Sequence, residues 1–324
     1  MLKRILLSII FMGVVTAFHG RALSQPYPTK AIRFIVPWPA GGVADITTRL
    51  VGRKLGEHMG QSFVVDNRAG ATGIIGCELA AHALPDGYTL LMGTTTTHAT
   101  NPVIFKKLPY DAIKDFAPIS LVADAPFVLL VHPSLPVKSV KELIAFAKAR
   151  PGQLTYGSSG VGGSSHLGFE LFNAMAGIRA VHVPYKGLAP ATVDLLAGNI
   201  TMSFDSTAAA TPYIRDKRLR ALGIGSARRS TLMPDVPTIA ESGLPGYELG
   251  SWSAMFAPAG TPTEIVRRLH REVVVAVGDA GMREQFAALG AEAVGSTPEE
   301  LASVVKRDIV KWAKIARQAN VQQE

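Results

Sequence analysis

Apolar positions along this chain follow two alternating rhythms. Ala31 to Pro37 (AIRFIVP) is a compact, partly β-branched run, the pattern of a buried strand. Ile46, Leu50, Val51, Leu55 and Met59 then recur at helical spacing. Ser62 to Asp66 and Tyr88 to Gly93 predict two more strands, with a helix over Gly73 to His82 between them and a Pro85-Asp86-Gly87 turn before the third. Short strands alternating with helices predict βαβ units and a parallel sheet, so the chain reads as an α/β protein.

The rhythm breaks twice. Phe127 to His132 reads as a strand directly after Ile119 to Val122, with Asp124-Ala125-Pro126 between them. Trp252 to Pro258 follows a Pro- and Gly-rich stretch. Read as two crossings between lobes, these breaks assign 25–124 and 250–324 to lobe 1 and 125–249 to lobe 2. The second lobe restarts the alternation, with strands at Leu154 to Gly157, Val181 to Val183, Thr201 to Phe204 and Leu219 to Gly223. Ser139 to Glu142, Thr261 to Glu264 and Thr297 to Glu300 each read as a capping box. Val266, Leu269, Val273 and Val277 line one late helix, and Leu301, Val304, Val305, Ile309 and Trp312 line the last.

Two glycine-rich turns sit where a strand hands over to a helix. Trp38-Pro39-Ala40-Gly41-Gly42-Val43-Ala44-Asp45 lies in the first lobe, and Gly157 to His166 in the second. Such a turn presents unpaired amides at a helix N-terminus, where the helix dipole favours an anion. The second turn nearly spells a phosphate loop, but Gly163 occupies the lysine position, which argues against a nucleoside triphosphatase. Its serines, Ser158, Ser159, Ser164 and Ser165, remain suited to cradling a carboxylate. Thr94 begins a hydroxyl-rich loop at a strand end. Tyr185 and Lys186 follow another strand, and Asp205 ends a third. Asp45 and Asp205 read first as groups that bond helix-start amides, and second as ligand contacts.

An enzyme is the alternative reading, a hydrolase built on Ser164-Ser165-His166. Residues adjacent on a helix do not face one another, and there is no Gly-x-Ser-x-Gly elbow. No His, Cys, Asp or Glu group has metal-ligand spacing, so neither metal nor cofactor is expected. The lone Cys77, set among Ile74, Ile75, Leu79 and Ala80, reads as a small buried hydrophobe.

Composition is that of a globular chain, 48% hydrophobic and 18% charged. Lys3 and Arg4 precede an apolar run over Ile5 to Phe18, and Ala22-Leu23-Ser24 offers a cleavage site. This reads as a secretory signal over 1–24, giving an extracytoplasmic protein that starts near Gln25. Losing Lys3, Arg4 and Arg21 lowers the formal charge of +8 by three. The remaining modest excess suits an anionic ligand, and scattered basic residues exclude a nucleic-acid stripe.

Taken in order, these stretches resemble the tripartite tricarboxylate transporter receptors, also called Bug (Bordetella uptake gene) proteins. The words are VPWPAGGVAD at 36–45, VVDNRAGATGIIG at 64–76, PDGYTLLMG at 85–93 and NPVIFKKLPYDAIKDFAPIS at 101–120. LTYGSSGVGGSSHL at 154–167, VPYKGLAP at 183–190, MPDVPTIAESGLPGYE at 233–248 and MFAPAGTP at 255–262 follow. The resemblance implies a fold like that of type II periplasmic binding proteins, with two α/β lobes, two crossing strands and a cleft that closes as a hinge. It implies a monomeric, non-enzymatic periplasmic receptor that delivers a small carboxylate (aliphatic dicarboxylate, amino acid or aromatic acid) to membrane permease subunits. The ligand contacts it implies are Trp38, Gly41, Gly42, Ala44, Ser158, Ser159, Ser164 and Ser165. It extends, more remotely, to Asp45, Thr94, His166, Tyr185 and Asp205. Trp38, where relatives often carry Phe or Tyr, suggests stacking on a planar ligand.

Overall fold

The computed structural model describes residues 27–185 and 187–318. The signal reading at 1–24 and Lys186 lie outside them. Strand β1 (Ile32–Val36) is flanked in parallel by β2 (Phe63–Asn67) and β3 (Thr89–Thr94). Its near-complete burial is what helices on both faces of a parallel sheet require. Helix α1 (Val43–Met59) joins β1 to β2, and α2 (Ile74–Ala81) leads to β3. α1 ends on Gly60, whose left-handed φ of 71° lets its N–H donate to Gly56 O.

The two short strands expected around residue 124 are one, β4 (Phe116–Val131), sixteen residues without a break. Asp124-Ala125-Pro126 does not interrupt it, because β9 (Gly250–Pro258) pairs antiparallel along its first part, from Phe116 opposite Pro258 to Pro126 opposite Gly250. Pro126 lacks an N–H, but a strand tolerates that at the edge of a pairing segment. Beyond it, the second part of β4 pairs with β7 (Met202–Ser206) and β8 (Arg220–Ile224). β5 (Thr155–Ser158) lies parallel to both β6 (Val181–Pro184) and β7. Among the described residues the result is one ten-stranded sheet whose halves share β4, completed by the short β10 (Glu292–Ala293). This is a two-lobe α/β fold.

In the second half α3 (Val140–Lys148) precedes β5, while α4 (Ser164–Ala176), α5 (Leu188–Leu196) and α6 (Thr207–Arg215) follow β5, β6 and β7. α7 (Thr263–Gly278), α8 (Ala280–Ala288) and α9 (Pro298–Gln318) complete the chain. The 139 cap forms, with Ser139 Oγ accepting from the Glu142 amide. At 297 the reciprocal box forms fully between Thr297 and Glu300. The box at 261 does not. Thr261 Oγ1 donates to Pro258 O at 2.7 Å, and α7 starts on Pro262 without a side-chain cap.

One apolar cluster runs through both lobes, from Ile35, Leu91 and Phe256 to Phe169, Phe172 and Tyr247, with Leu301 and Trp312 of α9 among them. α9 accordingly packs on β4 and also on α4. Trp252 Nε1 at the start of β9 donates to Asp308 on α9 at 2.9 Å.

Candidate functional site

Strand direction places the site. β3 ends at Thr94, opposite Ser253 of β9, which in turn lies opposite Ala123 of β4. β7 ends at Ser206, opposite Phe127 of β4. The carboxyl ends of the parallel strands in both lobes therefore converge on Ala123 to Phe127. Ligands of open α/β sheets bind outside such ends.

Four helices that follow these strands begin on glycine: α1 on Gly42, α2 on Gly73, α4 on Gly163 and α5 on Gly187. None has a side-chain cap. By contrast α3, α6 and α8 are capped by Ser139, Ser206 and Asp279. The starts of α1, α4 and α5 leave first-turn amides free to face an anion, whereas at α2 the Gly73 and Ile74 amides donate to Gly70 O and Ala71 O. The sequence pattern singled out only the turns before α1 and α4.

The first turn is held by charge. Gly41, at φ 86°, donates its amide to Asp45 Oδ2 at 2.9 Å. Asn67 Nδ2 bridges Asp45 Oδ1 and Trp38 O, at 2.9 and 3.0 Å. Arg49 engages both Asp45 oxygens, at 3.1 and 2.9 Å. Burial alone would raise the Asp45 pKa, but the bonds from Arg49, Gly41 and Asn67 outweigh it and hold the carboxyl below its ordinary value. Asp45 thus faces into its own loop. Asn67 and Arg49, which the sequence reading missed, complete this brace. Arg49 was legible as an i,i+4 partner of Asp45.

Two donors at this end find no partner among the described residues. The Trp38 indole N–H and the Thr94 hydroxyl are buried without a hydrogen bond. Thr94 is otherwise fixed, its amide donating to Thr97 Oγ1 at 2.9 Å. Gly73 packs beneath Trp38, and a Cβ there would lie 2.6 Å from Thr97 Cγ2. Ala71 and Thr72 before it take left-handed φ values of 46° and 53°, and Asn101 Nδ2 donates to Thr72 O at 3.0 Å.

The second turn is held by neutral groups. Ser165 Oγ accepts from the Ser159 amide at 3.0 Å and meets Ser159 Oγ at 3.1 Å. Ser158 Oγ accepts from the Gly160 amide and bonds His182 Nε2 at 2.6 Å. His166 Nδ1 accepts from the Gly162 amide at 3.1 Å, and its ring stacks on His182 at 3.9 Å. Burial, followed by the neighbouring His182, lowers the His166 pKa to about 4. Ser164 is buried at the first helical position. Ser165 and His166 are thus occupied by Ser159 and Gly162, an arrangement that does not make a nucleophile and its base.

Two candidates spend their polar atoms locally. Tyr185 donates its hydroxyl to Asp194 Oδ2 at 2.6 Å. Asp205 is buried, accepting from Thr192 Oγ1 at 2.6 Å and from the Ser206 amide at 2.7 Å. It is Ser206, not Asp205, that caps α6. Cys77 is buried, with its thiol pushed up to about 12 by desolvation. A cavity of about 260 Å³ also borders this stretch of β4 through Asp124 and Pro126, where β4, β9, β10 and α9 meet the Ser226 to Arg229 segment, and none of the candidate residues lines it. There burial, then the carboxylates of Glu292, Glu248 and Asp308, raise Asp124 to about 6.

Comparison with known proteins places this geometry. Residues 47–321 match the family described as tripartite tricarboxylate transporter family receptor. Protein BugT of Bordetella pertussis is 38% identical over 315 residues, covering 97% of this chain and 97% of BugT. The solved structure of R. palustris Rpa4515 with adipate is similar at TM-score 0.79, with 40% identity, covering 91% of this chain and 98% of that one. MatC from Rhodopseudomonas palustris with bound malate is similar at TM-score 0.75, with 32% identity, covering 89% and 99%.

Proposed function

Because the chain belongs to the tripartite tricarboxylate transporter receptors, a family of solute-binding proteins, we propose that it captures a small aliphatic dicarboxylate between its lobes. It then presents that ligand to the permease subunits of its transporter. The observation that carries this reading is the convergence of uncapped helix starts from both lobes on one stretch of β4. The adipate and malate held by two structural relatives support the ligand class.

One carboxylate faces the amides of Gly42, Val43 and Ala44 at the start of α1, with the Trp38 indole N–H and the Thr94 hydroxyl as further donors. This gives Trp38 an edge-on, hydrogen-bonding role, because its N–H is the group left without a partner. The second carboxylate faces the amides of Ser164 and Ser165 and the hydroxyls of Ser159 and Ser164, while the Gly163 amide donates within the turn to Gly160 O. Gly41, Asp45, Ser158, Ser165 and His166 shape the two turns. Tyr185 and Asp205 fix strand ends beside them. Each helix dipole contributes about 0.3–1 kcal/mol, and up to about 2 when partly buried. Hydrogen bonds to a charged group add roughly 1.5–3 kcal/mol each. A few of these reach micromolar affinity, about −8 kcal/mol.

The lobes divide at the β4 and β9 crossings, with 25–124 and 250–324 in one and 125–249 in the other. A ligand that touches both lobes only when they approach shifts the open–closed balance. The protein works as a monomer in the periplasm after cleavage near Gln25, without metal or cofactor, and catalyses no reaction. The test is a thermal-shift and calorimetric screen of the chain from Gln25 against malate, adipate, monocarboxylates and aromatic acids. A true ligand at a hundredfold its Kd adds about 2.7 kcal/mol of stability. If no carboxylate raises the Tm, the proposal fails.

A further inference from the structure

His166 stands at the second turn, where the structure places it neither as the base of Ser165 nor as a free group. Its geometry defines its chemistry. A backbone amide can only donate, so the Gly162 N–H, 3.1 Å from Nδ1, requires that nitrogen to be unprotonated. The ring proton is then on Nε2 and the imidazole is neutral. His182 reinforces this choice. The two rings lie 3.9 Å apart and only 15° from parallel, an arrangement two imidazolium ions would oppose. The stack continues through Tyr156 to Phe169, anchoring the turn to the core.

The rings facing His166 are His182 on β6 and Tyr156 on β5, and the nearest charged group on its own helix is Glu170, one turn on in α4. Glu170 is engaged by the Tyr156 hydroxyl, and the His182 ring by Ser158. Between Ser158 and α4 the backbone runs through glycines at φ 125° and 80°, Gly160 and Gly162, so side-chain bonds hold its shape.

Resting on the receptor reading above, we infer that His166 is a positioning residue of the ligand site. Its Nδ1 fixes the Gly162 amide and, through it, the amides of Ser164 and Ser165 that meet the carboxylate. The ring itself does not contact the ligand. Protonation exchanges the acceptor for a donor facing a donor, which releases the turn. Burial keeps the neutral form dominant down to about pH 4.

The test begins with ¹⁵N spectra of the histidine rings in the wild-type chain, which need no variant. His166 is expected as the Nε2–H tautomer from pH 8 to 6, and an Nδ1–H ring overturns the inference. Two variants then separate stacking from hydrogen bonding. His166→Phe keeps a ring without an acceptor, and His166→Asn places an oxygen near Nδ1 without a ring. Amide exchange over 158–165 and calorimetry with adipate and malate are the readouts. His166→Phe is expected to speed exchange and weaken binding by about tenfold each. His166→Asn restores most of the protection and removes the acid dependence. Wild-type exchange in His166→Phe overturns the inference, as does a His166→Asn protein with a protected turn that cannot bind. If neither acid binds the wild-type chain, the dicarboxylate reading falls. The tautomer and the exchange rates still decide the role of His166.

Discussion

The turns before α1 and α4 carry the same backbone device and fix it by opposite means. The first is braced by ions, with Asp45 gripping Gly41, Asn67 and Arg49. The second is braced by neutral hydroxyls and imidazoles, through Ser165, Ser158, His166 and His182. The ionic brace sets a negative charge close to the proposed anion site, and Arg49 offsets it. The neutral brace adds no charge, but it holds only while its rings stay unprotonated. A site for one doubly charged ligand can thus be rigid on both sides and still respond to acid on one side only.

The largest break in this comparison is Asp45→Ala, which leaves Arg49, the Asn67 amide and the Gly41 N–H without their shared acceptor. Urea unfolding should report a loss of about 3 kcal/mol, since removing one partner strands the others. Binding should weaken by about a hundredfold, while Asp45→Asn retains part of the network and loses less. On the other side, Ser165→Ala removes the bonds to Ser159, for a stability loss of about 1–2 kcal/mol by the same measurement. Equal losses in the two alanine variants would erase the ionic–neutral distinction.

Glycine replacements sharpen it further. Gly41→Ala meets open space but forces a left-handed φ on an L residue, costing about 1–2 kcal/mol. Gly163→Ala keeps an ordinary φ of −68° and places its Cβ 2.7 Å from Ser159 Oγ, which can rotate away. Thermal unfolding should rank Gly41→Ala as the more damaging of the two.

The smallest effect is the pH profile. The folded pKa of His166 lies below the usual 6.5, so the unfolded chain binds more protons between about pH 6.5 and 4. Its contribution is therefore complete above that range and declines through it as pH falls. His98, fully buried against Phe256 and depressed to about 3, adds to the same decline. Asp45, also depressed, yields its contribution only below the ordinary carboxyl range near 3.8. As the pH falls from 5 to 4, amide exchange should open 158–165 before 41–45. The reverse order would refute the assignment of the two braces.

Much of this was legible in the chain. The βα alternation, both glycine turns and the caps at 139 and 297 rest on local chemistry that a sequence displays. The continuity of β4 was not, because Asp124-Ala125-Pro126 reads locally as a break and only pairing with β9 makes it a strand. The box at 261 matched by spacing, yet Thr261 found a nearer acceptor in Pro258 O. Asn67 and His182 reach the turns from neighbouring strands, through register that no local window contains. The glycine starts of α2 and α5 were visible as residues. Their shared lack of a side-chain cap emerged only beside the capped helices.

The pairing of β9 between β3 and β4 also sets an order of assembly. The ribosome releases β1 to β4 early, yet the strand that joins them follows only after β5 to β8. The central half of the chain can close its sheet against β4 while the first waits, its edges open, for Gly250 to Pro258 to arrive. The lobe that is synthesised first is therefore the one whose sheet is completed last, and a chain cut before Gly250 would leave β3 and β4 with facing edges unpaired.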